Sequence, residues 1–489
     1  MSTNTENIFY RGYEAVIGIE VHVQLKTQSK IFSTDSTTFD AGDNENTSPV
    51  SVGMPGALPV INKTVIDYAI KAGLALGCQI REKSVFSRKN YFYPDLPKGY
   101  QISQYDEPIC EHGEVEFDVN GNTKKVKITR AHLEEDAGKS NHSGQYTLIN
   151  YNRSGVPLLE VVSEPEMHSP QEAAEYCRTI RSIVRYVNVC DGNLEEGSLR
   201  CDCNVSVRKI GEKKLGTKVE LKNINSFRFV EKAIEFEIQR QIDAIDNNEK
   251  IIQETRLYDS DKNRTVSMRT KENAQDYRYF PDPDILPIII QPGLIQKMKS
   301  EIPELPLARA KKYMDSYAIS KDEARQLTED FELATFFEKV GKLSSDYKSA
   351  ANWIIVEFLK EYSDKSLTLN DLNSAKNPIS AERLAELIQL INNGTISGKI
   401  AKTVFKDMWT NTKSPAVIVS SQGLVQVSDV GEIEKIIAQI IVSNPSQVAE
   451  YKSGKTKVIA FFIGAIMKET KGKANPNIVN EILSRKLSE

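Results

Sequence analysis

Apolar and polar side chains alternate with a period of two along residues 15–25, 114–119 and 204–208, and apolar β-branched residues crowd 158–162. A period of two sends successive side chains to opposite faces, so these segments are predicted to be strands. Gly121 and Asn122 between 116–119 and 125–128 predict a hairpin. Residues 64–76, 169–187 and 226–247 change to three- and four-residue apolar spacing and are predicted to be helices, the second entered through Ser169 and Pro170. Strands and helices do not alternate regularly, which predicts an α+β fold rather than a doubly wound sheet.

Pro281, Pro283, Pro287 and Pro292 close this region. Beyond them the pattern is helical with short loops. Helices are predicted at 294–302, 306–316, 321–327 and 331–342, then, past Ser344 and Ser345, around 353–362, 381–392, 397–409, 431–444, 448–452 and 457–470. The division that follows is a strand-rich domain at 1–292, a helical domain at 293–345 and a helical tail at 346–489. A chain of 489 residues carries a prior of about three domains, which agrees.

Composition narrows the class. Apolar residues make up 40% and charged residues 27%, as in ordinary globular proteins. No apolar run approaches the roughly 20 residues needed to cross a bilayer, and the first residues have no signal-peptide pattern. Six cysteines in this length do not make a disulfide scaffold, so a reducing cytoplasm is expected. The net charge of −4 is uneven: residues 346–489 carry 18 basic against 15 acidic side chains, leaving 45 against 52 in the first 345. Lys452, Lys455, Lys457, Lys468, Lys471 and Lys473 form a basic cluster in the tail, able to neutralise phosphates or simply to face solvent.

Candidate chemistry lies in the strand-rich part. On a strand, Glu20 and His22 share one face, and His132, Glu134 and Asp136 share another, with Glu135 opposed to them. Glu160 stands inside an apolar string, where an unpaired carboxylate is costly. Carboxylates with one imidazole favour Mg²⁺ or Mn²⁺ over soft metals. The competing reading pairs these acids with Arg130, Arg153 or Lys139. Residues 91–105 hold four tyrosines, a phenylalanine and two prolines, suited to a rigid aromatic wall. Glycines before Lys139 and Lys455 lack the upstream glycine of a phosphate-binding loop, and no arrangement of the five histidines suggests a hydrolase triad.

The strings VIGIEVHVQL at 16–25, RKNYFYPD at 88–95, HLEEDAGK at 132–139, NRSGVPLLE at 152–160, EGSLRCDCNVS at 196–206, ELKNINSF at 220–227, DYRYFPDPD at 276–284 and KGKANPNIVN at 471–480 closely resemble the B subunits of aspartyl/glutamyl-tRNA amidotransferases. The resemblance runs in order from about Tyr13 to the end of the chain. It implies ATP- and Mg²⁺-dependent activation of the side-chain carboxylate of Glu or Asp carried on tRNA. Ammonia delivered from glutamine by an amidase, the A subunit, then forms the amide, and a small C subunit completes a heterotrimer. The family implies a cradle-like catalytic domain, a helical domain and a tail related to the stand-alone protein YqeY. Carried over by position, its Mg²⁺ ligands fall on His22, Glu135 and Glu160, with Glu20 nearby and Asp202 and Asn204 as weaker candidates. Lys89 and Lys98 match its ammonia route. Lys455, Lys457, Lys471 and Lys473 are expected to grip tRNA. A non-catalytic tRNA-binding protein using only the tail is the rival reading. Many family members carry a four-cysteine zinc site whose positions here are Ser33, Asp35, Ser48 and Ser51, so no zinc is expected.

Overall fold

Strand formation over much of the first half builds one large sheet in the computed structural model, which describes residues 11–270, 276–425, 430–470, 474 and 476–488. The chain divides into two compact units, Met1–Leu307 and Ala308–Glu489. The first unit contains strands β1 (Tyr13–Gln24), β2 (Phe86–Asn90), β3 (Tyr100–Gln104), β4 (Cys110–Val119), β5 (Asn122–Glu135), β6 (Pro157–Ser163), β7 (Leu199–Lys209), β8 (Val219–Lys222), β9 (Glu254–Asp259) and β10 (Arg264–Thr270). Its longer helices are α1 (Lys63–Ala75), α2 (Pro170–Tyr186), α3 (Phe227–Asp246) and α4 (Pro292–Glu301).

The strands lie in the order β10-β9-β8-β7-β1-β6-β5-β3-β2, with Phe280–Pro281 extending the β2 edge and β4 pairing with β5. Pairing along this path is antiparallel except between β8 and β9. One face of the central strands carries Val21, Val23, Leu133, Leu159, Val161, Cys201 and Cys203, buried in a core shared with Ala173, Cys177 and Ile180 of α2 and Val230, Ile234 and Ile238 of α3. Complete burial of a large aliphatic side chain contributes roughly 1.5–3 kcal/mol. This core therefore offsets the desolvated charges held on the opposite face.

Local signals set the ends of these elements. Ser169 caps α2 by accepting from the Glu172 N–H at 3.1 Å, and Ser226 caps α3 by accepting from the Phe229 N–H at 3.2 Å. The β4–β5 hairpin turns at Asn120 and Gly121, with φ of 52° and 87°, one residue earlier than expected. The primed turn needs left-handed backbone at both central positions, which Asn and Gly tolerate best.

The proline run is not where the first core ends. Leu294, Ile295 and Met298 of α4 pack against that core, and so does Leu305. The expected division at 345/346 also falls between helices that share one core: Phe336, Phe337 and Val340 pack with Ala350, Ile354 and Phe358. Ser345 makes a left-handed turn (φ 56°) between them. The helix expected near 353–362 is α-helical at Tyr347–Asn352, π-helical at Trp353–Phe358 and α-helical again at Leu359–Asp364. A separate cluster forms around Ile433, Ile437, Phe462, Ile466, Ile482 and Leu483. No helix among the described residues is long and apolar enough to cross a membrane.

Candidate active site

The polar face of the sheet brings together residues far apart in the chain. His22 on β1 lies opposite Glu160 on β6, and Glu160 lies opposite His132 on β5. Glu134, two residues along β5, faces the same side. His22 Nε2 is 3.5 Å from Glu160 Oε2 and 3.8 Å from Glu134 Oε1, while His132 Nε2 is 3.6 Å from Glu160 Oε2. Ligand atoms of His22, Glu134 and Glu160 all lie within 4.8 Å of one another. Glu134 Oε2 is buried and has no hydrogen-bond partner. Such an orphaned acceptor calls for a cation or a proton.

Electrostatics separate the roles of these groups. Burial pushes the Glu134 carboxyl up to about 7, and the Glu160 charge adds to it. Burial also opposes ionisation of Glu160, but His132, His22 and Lys89 outweigh it and hold that carboxyl below the usual range. His22 is raised to about 9: burial lowers it, and Glu160, Asp202 and Glu134 together overcome that. Burial lowers His132 to about 4. At neutral pH the site thus holds an ionised Glu160, a protonated His22 and a neutral His132.

A second acidic group adjoins the first along β1. Glu20, Asp202 on β7 and Glu220 on β8 also have ligand atoms within 4.8 Å of one another. Lys222 Nζ donates to Asp202 at 2.6 Å and lies 3.3 Å from Glu220, Asn204 Nδ2 donates to Glu20 at 3.0 Å, and Thr255 Oγ1 donates to Glu220 at 2.6 Å. Burial and the neighbouring Glu160 raise the Glu20 carboxyl. Glu220 and Lys222 are additions to the residues expected from the sequence; their two-residue spacing, which places both on one strand face, is the signal that could have found them.

Glu135, expected among the metal ligands, lies apart from the cluster of His22, Glu134 and Glu160. Strand alternation turns Glu135 to the other side, where both its oxygens bond the Lys98 ammonium, Oε2 at 2.6 Å, and Oε1 accepts from the Ile102 N–H at 2.8 Å. Lys98 is therefore committed to Glu135. Asp136 alone follows the ion-pair reading, lying 3.2 Å from Arg153 and 3.0 Å from Arg200. Lys89 sits 5.1 Å from the centre of the Tyr277 ring and 6.0 Å from that of Tyr91. Burial lowers its basicity, yet Glu134, Tyr279 and Glu160 raise it overall, so it stays charged. Tyr105 stacks on Tyr279 at 4.1 Å and Tyr277 meets Tyr279 edge-on, so the wall expected at 91–105 is built jointly with 277–279.

The remaining candidates lie elsewhere. Lys455 is exposed and 3.7 Å from Glu450, and Lys457 is exposed. Lys471 and Lys473 lie outside the described residues. Of the four positions of the family's zinc site, Ser33, Asp35 and Ser51 hydrogen-bond to one another, Ser33 donating to Asp35 at 3.0 Å. The buried Lys30 ammonium lies 3.9 Å from Asp35 and donates to the Asn46 carbonyl at 2.6 Å. Side-chain hydrogen bonds thus tie this loop together.

Comparison with known proteins matches this architecture. The GatB/GatE catalytic domain model covers residues 15–296, and the GatB domain model covers 335–487. The B subunit of an aspartyl/glutamyl-tRNA(Asn/Gln) amidotransferase from Bdellovibrio bacteriovorus is 63% identical over 98% of this chain and 99% of its own length. B subunits of the same name from Solidesulfovibrio magneticus and Geotalea daltonii are 51% and 52% identical, each over 97% of this chain and 99% of theirs. Matched from the sheet-bearing unit through the helical tail, the chain belongs to the GatB/GatE family.

Proposed function

We propose that this chain is the B subunit of a tRNA-dependent amidotransferase, which converts Glu or Asp carried on tRNA into the amide using ATP and ammonia from glutamine. End-to-end similarity to proteins of that name carries the reading. A heterotrimer formed with an amidase (the A subunit) and a small C subunit, working in the cytoplasm, is part of the same proposal.

The residues present suit a hard divalent cation: two carboxylates and one imidazole converge, and Glu134 has an orphaned buried oxygen. His22, Glu134 and Glu160 would hold Mg²⁺, with His22 giving up its proton on binding. When bound, Mg²⁺ would screen the mutual repulsion of ATP and substrate carboxylate. Around it the chain's own groups do the positioning. Lys222 and Arg200 place positive charge along the acidic face, where anionic groups must approach. Lys89 stays protonated, so it acts as a fixed charge and not as a base. Tyr91 and Tyr277 set their ring faces near the Lys89 ammonium and help hold it in place.

A purely RNA-binding role leaves the buried His22, Glu134 and Glu160 cluster without a purpose. The test is amide formation on Glu-tRNA or Asp-tRNA by the chain with its partners, ATP and glutamine. Full activity in a Glu160→Ala variant would sink the assignment of the site, and absence of tRNA-dependent ADP formation would sink the function.

A further inference from the structure

From the end of β7 to the start of β8, residues 209–218 form a loop that carries Lys209, Lys213, Lys214 and Lys218 against a single acid, Glu212. All four lysines are exposed, and among the described residues none is paired with a carboxylate. The loop is held in place. Arg208 bonds Glu14 at 2.5 Å and donates to the Lys213 carbonyl at 3.3 Å. Gly216 passes so close to β7 that a Cβ there would meet the Val207 carbonyl oxygen at 2.2 Å. This is an ordered concentration of positive charge in the acidic part of the chain.

Its position relative to the site gives it meaning. Lys218 stands two residues before Glu220, a member of the second acidic group. Lys209 ends the strand that carries Asp202 and Asn204, about 17 Å beyond Asn204 at 3.4 Å per residue. Lys218 thus stands nearest the carboxylates, and the other lysines lie farther out along the loop, Lys209 in phase with the core-facing Cys203 and Val207. Lysine is a compact point charge, suited to phosphates without reading bases. A polyanion brought to a face lined with Glu20, Glu160, Asp202 and Glu220 needs such compensation on its way in.

We propose that the 209–218 loop binds the backbone phosphates of the RNA strand whose aminoacylated end enters the site. The inference rests on tRNA being the substrate and adds a contact surface within the catalytic unit, separate from the tail. The experiment measures binding of uncharged tRNA to the complete complex across a series of potassium chloride concentrations. Each phosphate contact is worth about 0.7–0.9 in the slope of log K against log salt. In the K209Q/K213Q/K214Q/K218Q variant the slope should fall by about 3–3.5 if each lysine meets one phosphate, with weaker binding at low salt, while the matching Lys→Arg variant keeps the wild-type slope. An unchanged slope in the glutamine variant overturns the proposal, whether or not affinity falls. So does loss of the partner chains with normal RNA binding, which would make the loop a protein interface. If the wild-type complex binds no tRNA, the function proposed above fails instead.

Discussion

Glu134 and Glu135 are adjacent in sequence but should respond to mutation in opposite ways. Glu135→Ala leaves the Lys98 ammonium, whose side chain is only 12% exposed, without its carboxylate, and the Ile102 N–H without its acceptor. Removing one partner of a buried ion pair costs roughly 3–5 kcal/mol, because the remaining charge stays desolvated. With an unfolding slope of about 3 kcal/mol per molar urea, the midpoint of the first unit should drop by about 1–1.7 M. Replacing both partners by apolar residues, Lys98→Met with Glu135→Leu, should recover most of that loss. Glu134→Gln keeps the side-chain shape and removes a carboxylate that burial already disfavours, so the urea midpoint should hold or rise at pH 8. Its Mn²⁺ affinity, followed by electron paramagnetic resonance titration, should fall beyond the roughly 10–100-fold that loss of a supporting partner causes. A Glu135→Ala protein with wild-type stability and no Mn²⁺ binding, beside a Glu134→Gln protein that binds normally, would refute the strand-face argument.

Lys89→Ala should reduce use of glutamine more than use of free ammonium, since ammonium in solution reaches the activated ester by another path; equal losses in the two amidation assays would place Lys89 in activation or folding. Burial lowers the Lys30 ammonium to about 8, so the native state holds fewer protons than the unfolded chain between about pH 8 and the ordinary lysine range. Stability contributed at this position should therefore increase as pH rises through that window, and a Lys30→Met variant should lack that rise in pH-dependent urea melts. Purified protein should carry no stoichiometric zinc, because Ser33, Asp35, Ser48 and Ser51 offer no thiolate; elemental analysis showing one zinc that resists mild chelation would contradict this. Deletion from residue 426 onward removes the Ile433–Ile466 cluster without cutting the core that joins Phe337 to Phe358. It should weaken tRNA binding in filter assays while glutaminase assembly persists; unchanged affinity would remove Lys455 and Lys457 from the tRNA contact.

Much of the local structure was legible because it depends on near neighbours. Period-two patterning located β1, a crowd of apolar β-branched residues located β6, Ser169 and Ser226 announced the starts of α2 and α3, and helical spacing found Lys321–Leu327 and Ala381–Asn392 to the residue. Strand alternation alone already set Glu134 and Glu135 on opposite faces, and the structure follows that alternation. β9 and β10 passed unnoticed because their charged, half-exposed residues lack a clean apolar face. Prolines and serine pairs mark turns, whereas a compact unit is bounded by where buried contacts stop, here between Leu307 and Ala308. Strand order and register belong to the tertiary structure. Nothing local says that β1 lies between β6 and β7, yet that order sets His22 against Glu160 and Glu20 beside Asp202. Chemistry-bearing residue types and the face each occupies follow from the chain itself; which carboxylates meet His22 and Glu20 depends on packing between segments more than a hundred residues apart, a balance that no short stretch of sequence encodes.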